Sequence, residues 1–521
     1  MSQKRIHLVI PMSGQGNRFQ AAGFRMPKPL VPVSGTPMIE RNLRLFPAEW
    51  PVSFVLAENH KQTGLVELLR RLRPQAEIDF IAPHKLGPSF AAERVIRRLD
   101  PETPVFVSYC DYGMVWDPCE FERFVEKSRC DACLVSYRGF HPHYLRCHTY
   151  AFSRLEGERV VEVKEKGHFT DDYLAEYASN GGYYFRTANT FLKAHERQVT
   201  DDLTVNGEHF TSLTVEAVLR QDPKAEVRVF EIPRFFQWGT PEDVKVFEYW
   251  ESAYSSANRF GRVENRVDQI LMPMAGLGSR FKSFALPKPL IPVNGRPMFR
   301  EAIDSLPRSN TVTVVTLNQV RAEVMTAAPG AKVVSLSTTP SGQALSTGAG
   351  LSAIDFEREV IVSSCDHGIV LDPKVWREFP REDCDAAIFT VTGYPGALRR
   401  PEAYAYVATD GEEEFPLVKS VSVKQPISPE PDRDPLLVGT FWFRSGRILR
   451  EGIEELKRRD TRVNGELYLD SVFQVLMEKG YRVRTIPLSG YLCWGDPDSY
   501  DESQYWFETF CRPLQKMARA A

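Results

Sequence analysis

The chain is 521 residues long, 43% hydrophobic and 26% charged, with 65 Lys and Arg against 68 Asp and Glu. At about 150 residues per domain it holds two to four domains, with enough apolar residues for a sizeable core, which excludes bulk disorder. The net charge of −3 gives no electrostatic reason for a nucleic-acid partner, no run approaches a membrane helix, the first residues are too short an apolar run for an export signal, and nine cysteines do not make a disulfide framework. The expectation is a cytoplasmic protein without membrane or nucleic-acid partners.

In chain order, residues 6–10 are a short apolar run closed by Pro11 and a Gly-rich segment, the pattern of a buried strand. A helical pattern follows through Leu45. Strands are predicted at 52–56 and 78–81, with a helix at 65–72 between them. A helix at 91–99 leads to a strand at 105–110, which delivers Asp111 at its carboxyl end. The second half repeats the alternation, with strands at 270–272, 312–315, 332–336 and 360–363. Strand alternating with helix predicts an α/β fold, a mostly parallel sheet flanked by helices on both faces. Ligands of such sheets bind at the strand carboxyl ends, where the Gly-rich segment and Asp111 both fall.

The chain also repeats itself. Pro11-Met12-Ser13-Gly14-Gln15-Gly16-Asn17-Arg18-Phe19 returns as Pro273-Met274-Ala275-Gly276-Leu277-Gly278-Ser279-Arg280-Phe281. Pro27-Lys28-Pro29-Leu30 returns as Pro287-Lys288-Pro289-Leu290, Cys110-Asp111 as Cys365-Asp366, Asn206-Gly207-Glu208 as Asn464-Gly465-Glu466, and Trp238-Gly239 as Trp494-Gly495. An offset of about 260 residues across all five blocks means a duplicated domain. The predicted boundaries are 1–251 for the first domain, 252–265 for a short polar linker and 266–521 for the second. A linker that short predicts an intramolecular domain pair in contact. A homo-oligomer is left open.

In Gly14-x-Gly16-x-Arg18 the glycines let backbone N–H groups approach an anion, and a following helix start would add its dipole. Arg18 supplies a planar cationic fork for phosphate. The third Gly of a dinucleotide fingerprint is absent, and Lys28 lies too far along for a Walker A loop. Prolines on both sides of Lys28 stiffen the backbone and pre-aim the ammonium, which suits charge stabilisation on a transferring phosphate.

Gly-x-Gly-x-Arg-Phe followed by Pro-Lys-Pro-Leu-x-x-Val-x-Gly-x-Pro-Met resembles the opening signature of the sugar-phosphate nucleotidyltransferases, the NDP-sugar pyrophosphorylases of the glucose-1-phosphate thymidylyltransferase type. The resemblance covers roughly residues 5–250 and 268–510. It implies two tandem Rossmann-like, GT-A-like nucleotidyltransferase domains. The implied reaction joins an NTP and a sugar 1-phosphate into an NDP-sugar and pyrophosphate, and the subgroup points to bacterial surface or capsular polysaccharide synthesis.

By the same resemblance Arg18, Lys28, Arg280 and Lys288 are the catalytic cations on the NTP phosphates. Gly14, Gln15, Gly16, Gly276, Leu277, Gly278, Gly342 and Gln343 bind nucleotide. Glu165, Lys166, Asn180, Gly181, Asn206, Glu208, Lys424, Asn464 and Glu466 bind the sugar phosphate. Asp111 and Asp366 hold Mg²⁺, for which a hard carboxylate is suited. The family's second metal Asp is missing, since Gln237 and Cys493 stand in its place. The halves also depart from each other: Pro88 stands opposite Gln343, Val423 opposite Glu165, and Val438 opposite Asn180. The second half therefore reads as having lost an acceptor-side carboxylate.

Cys130-x-x-Cys133 lacks the second Cys pair of a zinc site and reads as buried structural thiols. Trp238 and Trp494 read as core anchors. Two alternatives accompany the enzyme reading. One half could be a ligand-binding regulatory pseudoenzyme, or the chain could be a GT-A glycosyltransferase, although Asp111-Tyr112-Gly113 is not the Asp-x-Asp of that class.

Overall fold

The structure is a computed structural model that describes residues 4–147, 149–411, 413–460, 462 and 465–512. The chain divides into two units, residues 1–248 and 249–521. The division falls inside the helix Pro241–Phe260, so residues 252–260 of the expected linker are helical.

The first unit is built on nine strands: β1 (His7–Met12), β2 (Val52–Ala57), β3 (Glu77–Ile81), β4 (Val105–Ser108), β5 (Ala132–Tyr137), β6 (Phe152–Glu156), β7 (Arg159–Lys164), β8 (Tyr177–Phe185) and β9 (Val227–Glu231). They form one sheet in the order β3-β2-β1-β4-β8-β5-β9-β7-β6. The second unit has β10 (Gln269–Pro273), β11 (Thr311–Leu317), β12 (Lys332–Leu336), β13 (Val360–Ser363), β14 (Ala386–Val391), β15 (Ala405–Asp410), β16 (Leu417–Val423), β17 (Leu436–Phe443) and β18 (Val483–Pro487). Their order, β12-β11-β10-β13-β17-β14-β18-β16-β15, repeats the first strand for strand. The duplication seen in the sequence is thus a duplication of topology.

Strands β3, β2, β1 and β4 run parallel, as the strand–helix alternation predicts. Beyond β4 the sheet is mixed: β8 is antiparallel to β4 and β5, and β7 to β6 and β9, while β5 and β9 pair in parallel. Leu8, Val9 and Ile10 are fully buried on both faces of the sheet, which is why β1 reads as an unbroken apolar run. The helix Leu65–Leu72 buries Leu65, Leu68 and Leu69, spaced i, i+3, i+4 along one stripe, and turns Arg70 and Arg71 outward. Each buried leucine contributes about 1.5–3 kcal/mol relative to exposure.

Short antiparallel pairings between distant segments matter most for the site. Tyr112–Val115 continues the chain past Asp111 and pairs antiparallel with Arg234–Gln237. His367–Val370 pairs the same way with Gly490–Cys493. Each pairing brings a Trp-Gly to the end of the strand that carries the Asp. Trp238 N donates to Asp111 O at 2.9 Å, and Trp494 N to Asp366 O at 2.8 Å. Both indoles are buried, as expected, beneath Gly113 and Gly368, where a Cβ would meet the ring at 2.8 and 3.0 Å.

Candidate active site

The Gly-rich loop leaves β1 and turns at Gly16, whose φ of +66° lies in the left-handed region that glycine adopts freely. A Cβ there would sit 3.1 Å from the Lys28 Cβ, and one at Gly278 would sit 2.7 Å from the Lys288 Cβ. The second glycine of each loop is needed for close approach of the lysine beneath it. The segment after the loop is a five-residue helix, Asn17–Ala21, in the first unit and a three-residue turn, Ser279–Phe281, in the second. A developed helix dipole is therefore not part of the anion site. Loop N–H groups and cations must carry it.

The two lysines reach the same constellation. Lys28 Nζ donates to Asp111 Oδ2 at 2.5 Å and to Gly239 O at 3.3 Å. Lys288 Nζ donates to Asp366 Oδ2 at 2.6 Å and to Gly495 O at 3.2 Å. The Trp-Gly motif thus contributes a backbone carbonyl that sequence reasoning did not assign. Burial works to raise the Asp366 carboxyl, but Lys288 and His367 outweigh it and hold it well below the usual carboxylate range. Burial and the adjoining aspartate push the Cys110 and Cys365 thiols up to about 12, so neither is a thiolate near neutrality and neither is a nucleophile. Arg18 and Arg280 form no ion pair among the described residues and stand exposed at the loops.

A cleft of about 510 Å³ in the first unit is lined by Gly14, Gln15, Gly16, Lys28, Asp111 and Glu208. A second cavity of about 260 Å³ holds Arg18, Glu165, Lys166, Asn180 and Gly181. Asp111 and Tyr109 line both, so Asp111 stands between the two spaces. Asn206 lies outside both linings, at the exposed tip of a tight turn. In the second unit a cleft of about 380 Å³ gathers Gly276, Leu277, Gly278, Arg280, Lys288, Gly342, Gln343, Asp366 and Glu466. Lys424 does not line it, and Asn464 lies outside the described residues.

The loop opposite each Gly-rich segment is also built alike. Gly87 and Gly342 have φ of +94° and +122°, and a Cβ at either would meet the backbone of His209 or Leu467 at 2.5 Å. Gln343 Nε2 donates to Ser364 Oγ at 2.7 Å. In the first unit, where Pro88 replaces that Gln, His84 enters the cleft lining and its Nε2 lies 3.0 Å from Ser13 Oγ. Nothing in the motif marked His84. It became visible only through the fold.

In the smaller cavity of the first unit, Glu165 accepts from Ser212 Oγ at 2.5 Å. Burial raises its pKa, and the Ser212 hydrogen bond and Lys166 act against that rise. Asn180 turns its Oδ1 onto Gly182 N at 2.8 Å, which leaves it a partly structural role. Asp243 closes a capping box with Thr240, with Thr240 Oγ1 donating to it at 2.7 Å. Cys130 and Cys133 are buried. Among the described residues no group of three or more His, Cys, Asp or Glu could hold a metal ion.

The family model of the MobA-like NTP transferase domain matches residues 271–427. No curated protein matches the chain. Among solved structures, a nucleoside-diphosphate-sugar pyrophosphorylase from Vibrio cholerae is similar at 19% identity, covering 46% of this chain and 99% of its own, with a TM-score of 0.39. The inositol-1-phosphate CTP transferase from T. maritima is similar at 16% identity, covering 46% and 96%, with a TM-score of 0.36. The UTP-bound UGPase from Acinetobacter baumannii is similar at 15%, covering 49% and 98%, with a TM-score of 0.38. The stretch that matches the MobA-like NTP transferase domain carries Gly276, Arg280, Lys288, Gln343 and Asp366, and the first half of the chain repeats the sheet order of the second strand for strand.

Proposed function

We propose that each half transfers a nucleotidyl group from an NTP to a sugar 1-phosphate. A phosphate oxygen of the acceptor attacks the α-phosphorus, the new P–O bond forms, the bond to the β-phosphate breaks, and pyrophosphate leaves. The observation that carries this reading is the repeated Lys–Asp–Gly carbonyl constellation beside a Gly-rich loop. In-line phosphoryl chemistry needs positioning and cations rather than a covalent nucleophile. Lys28 and Lys288 are held at fixed points in the clefts, and Arg18 and Arg280 stand free at the loops. The acceptor-side cavity of the first half offers Glu165 to hydroxyls and Lys166 to phosphate.

A single hard carboxylate beside an anion loop fits Mg²⁺ that is bound mainly through phosphates and water. Asp111 and Asp366 would hold it, and the ion would neutralise charge on the phosphates. The solved structures similar to this chain include a UTP-bound UGPase and a UDP-glucose pyrophosphorylase complexed with UDP-glucose, which supports a uridine or related nucleotide and a hexose phosphate as first substrates to try. The same reading places the protein in the cytoplasm, supplying an activated sugar for surface or capsular polysaccharide.

The test is pyrophosphate release from four NTPs against a panel of sugar 1-phosphates, with and without Mg²⁺, in the unaltered chain, in Lys28→Ala and in Lys288→Ala. Release that requires both substrates and falls in the lysine variants supports the proposal. No release from any pair refutes it.

A further inference from the structure

We infer that Asp470 is the acceptor-binding carboxylate of the second half, where it takes the place that Glu165 holds in the first. The inference rests on the reading that each half binds a hydroxyl-bearing phosphorylated acceptor. It would give the second half, from another segment, the carboxylate that it lacks at Val423.

The register between the halves is set by backbone contacts. Ser89 N donates to His209 O at 3.1 Å, and Ala344 N donates to Leu467 O at 3.0 Å. His209 and Leu467 are therefore equivalent, and three residues on in each chain stand Ser212 and Asp470. The lysines agree with this register. Lys166 and Lys424 both have left-handed backbones, with φ of +55° and +58°. Lys166 Nζ lies 4.4 Å from the Phe210 ring centre, and Lys424 Nζ lies 5.4 Å from that of Tyr468, the residue equivalent to Phe210.

In the first half a hydroxyl from the helix segment, Ser212, meets a carboxylate from the strand segment, Glu165. In the second half the strand position is the apolar Val423 and the helix position carries the carboxylate. The acid stands at the helix position instead of the strand position. The same exchange occurs once more in this molecule. Thr240 Oγ1 donates to Asp243 in the first half, whereas Ser499 Oγ donates to Asp496 at 3.2 Å in the second, with hydroxyl and acid swapped between the two positions. Each of those acids also meets an arginine, Arg146 at 2.8 Å and Arg400 at 3.2 Å.

Unlike Glu165, the half-buried Asp470 carboxylate accepts no hydrogen bond from another side chain among the described residues. Burial pushes its carboxyl up to about 6, with a hydrogen bond from its own backbone N–H and the Lys424 charge acting in the opposite direction. A confined carboxylate with no side-chain donor, beside a lysine, fits a ligand that brings hydroxyl donors together with a phosphate. Because the acid comes from the helix side and is one carbon shorter, the second half would select a different arrangement of hydroxyls.

The test uses the full chain with its first half silenced by Lys28→Ala and a panel of hexose 1-phosphates. Asp470→Asn and Asp470→Ala should raise the acceptor KM of the second half about ten- to hundredfold, with the NTP KM changed less than threefold and the thermal midpoint retained. The double change Val423→Glu with Asp470→Ser, which restores the first-half arrangement, should recover acceptor affinity. An acceptor KM within about twofold in both single variants overturns the inference while leaving the nucleotidyltransferase reading intact. A Lys28→Ala chain with Asp470 in place that turns over no member of the panel overturns that reading and this inference with it.

Discussion

Lys288→Ala, Asp366→Asn and the double variant separate the structural share of the Lys–Asp pair from its chemical one. At about 4 Å between charge centres and an effective dielectric of about 20, two unit charges attract by about 4 kcal/mol. Both side chains keep some contact with water, 12% for Lys288 and 25% for Asp366, so screening and desolvation leave about 1–3 kcal/mol of coupling. Lys288→Ala strands a carboxylate whose remaining neighbour of opposite sign is His367 at 3.7 Å, itself charged only when protonated. It should cost about 2 kcal/mol, or about 4–8 °C in the melting transition of the second unit. Adding Asp366→Asn should recover most of that loss, since the stranded charge is gone. Asp366 is held below the ordinary carboxylate value, so the stabilisation from the pair is complete above about pH 4 and is lost as pH falls through the lower folded-state value. The cost of Lys288→Ala should therefore be the same at pH 7 and pH 6 and shrink only in strong acid. Calorimetry of the four proteins gives the cycle. Coupling below about 0.3 kcal/mol, or a cost that fades between pH 7 and 6, would refute the argument.

Lys28→Ala and Lys288→Ala should each lower kcat of their own half about a hundred- to a thousandfold and move the NTP KM far less, as for loss of one preorganised donor to transition-state charge; steady-state kinetics with the other half silenced reads the split. Gly342→Ala places a Cβ 2.5 Å from the Leu467 backbone at a φ of +122°, so the unit should lose about 1–3 kcal/mol in a thermal melt, and nucleotide titration should show weakened binding in the second half alone. Glu165→Gln should raise the acceptor KM of the first half. In the unaltered chain acceptor affinity should improve as pH rises through the raised Glu165 value, because the ionised carboxylate is the better acceptor; a flat profile in kcat/KM for the acceptor would count against that role.

The sequence by itself determined the duplication, the parallel part of each sheet and the cation set. Repeated blocks survive alignment by eye, and a strand buried on both faces has a local signature, as Leu8 to Ile10 show. The antiparallel half was not legible. Strands β7 and β16 carry charged, half-exposed residues and pair with their chain neighbours β6 and β15 on one edge and with the distant β9 and β18 on the other, and placement of that kind is decided by the sheet they join. Several site features were decided by tertiary structure for the same reason. The Gly239 and Gly495 carbonyls reach the lysines only because the short strand from Tyr112 pairs with Arg234–Gln237 and that from His367 with Gly490–Cys493. The helix expected after each Gly-rich loop is five residues long in the first unit and a single turn in the second, so neither carries a developed dipole. The carboxylate missing at Val423 could not be found at Asp470 by reading either segment alone. A side chain's position in space depends on which strand faces which helix, and one contact can be made with the acid on either side.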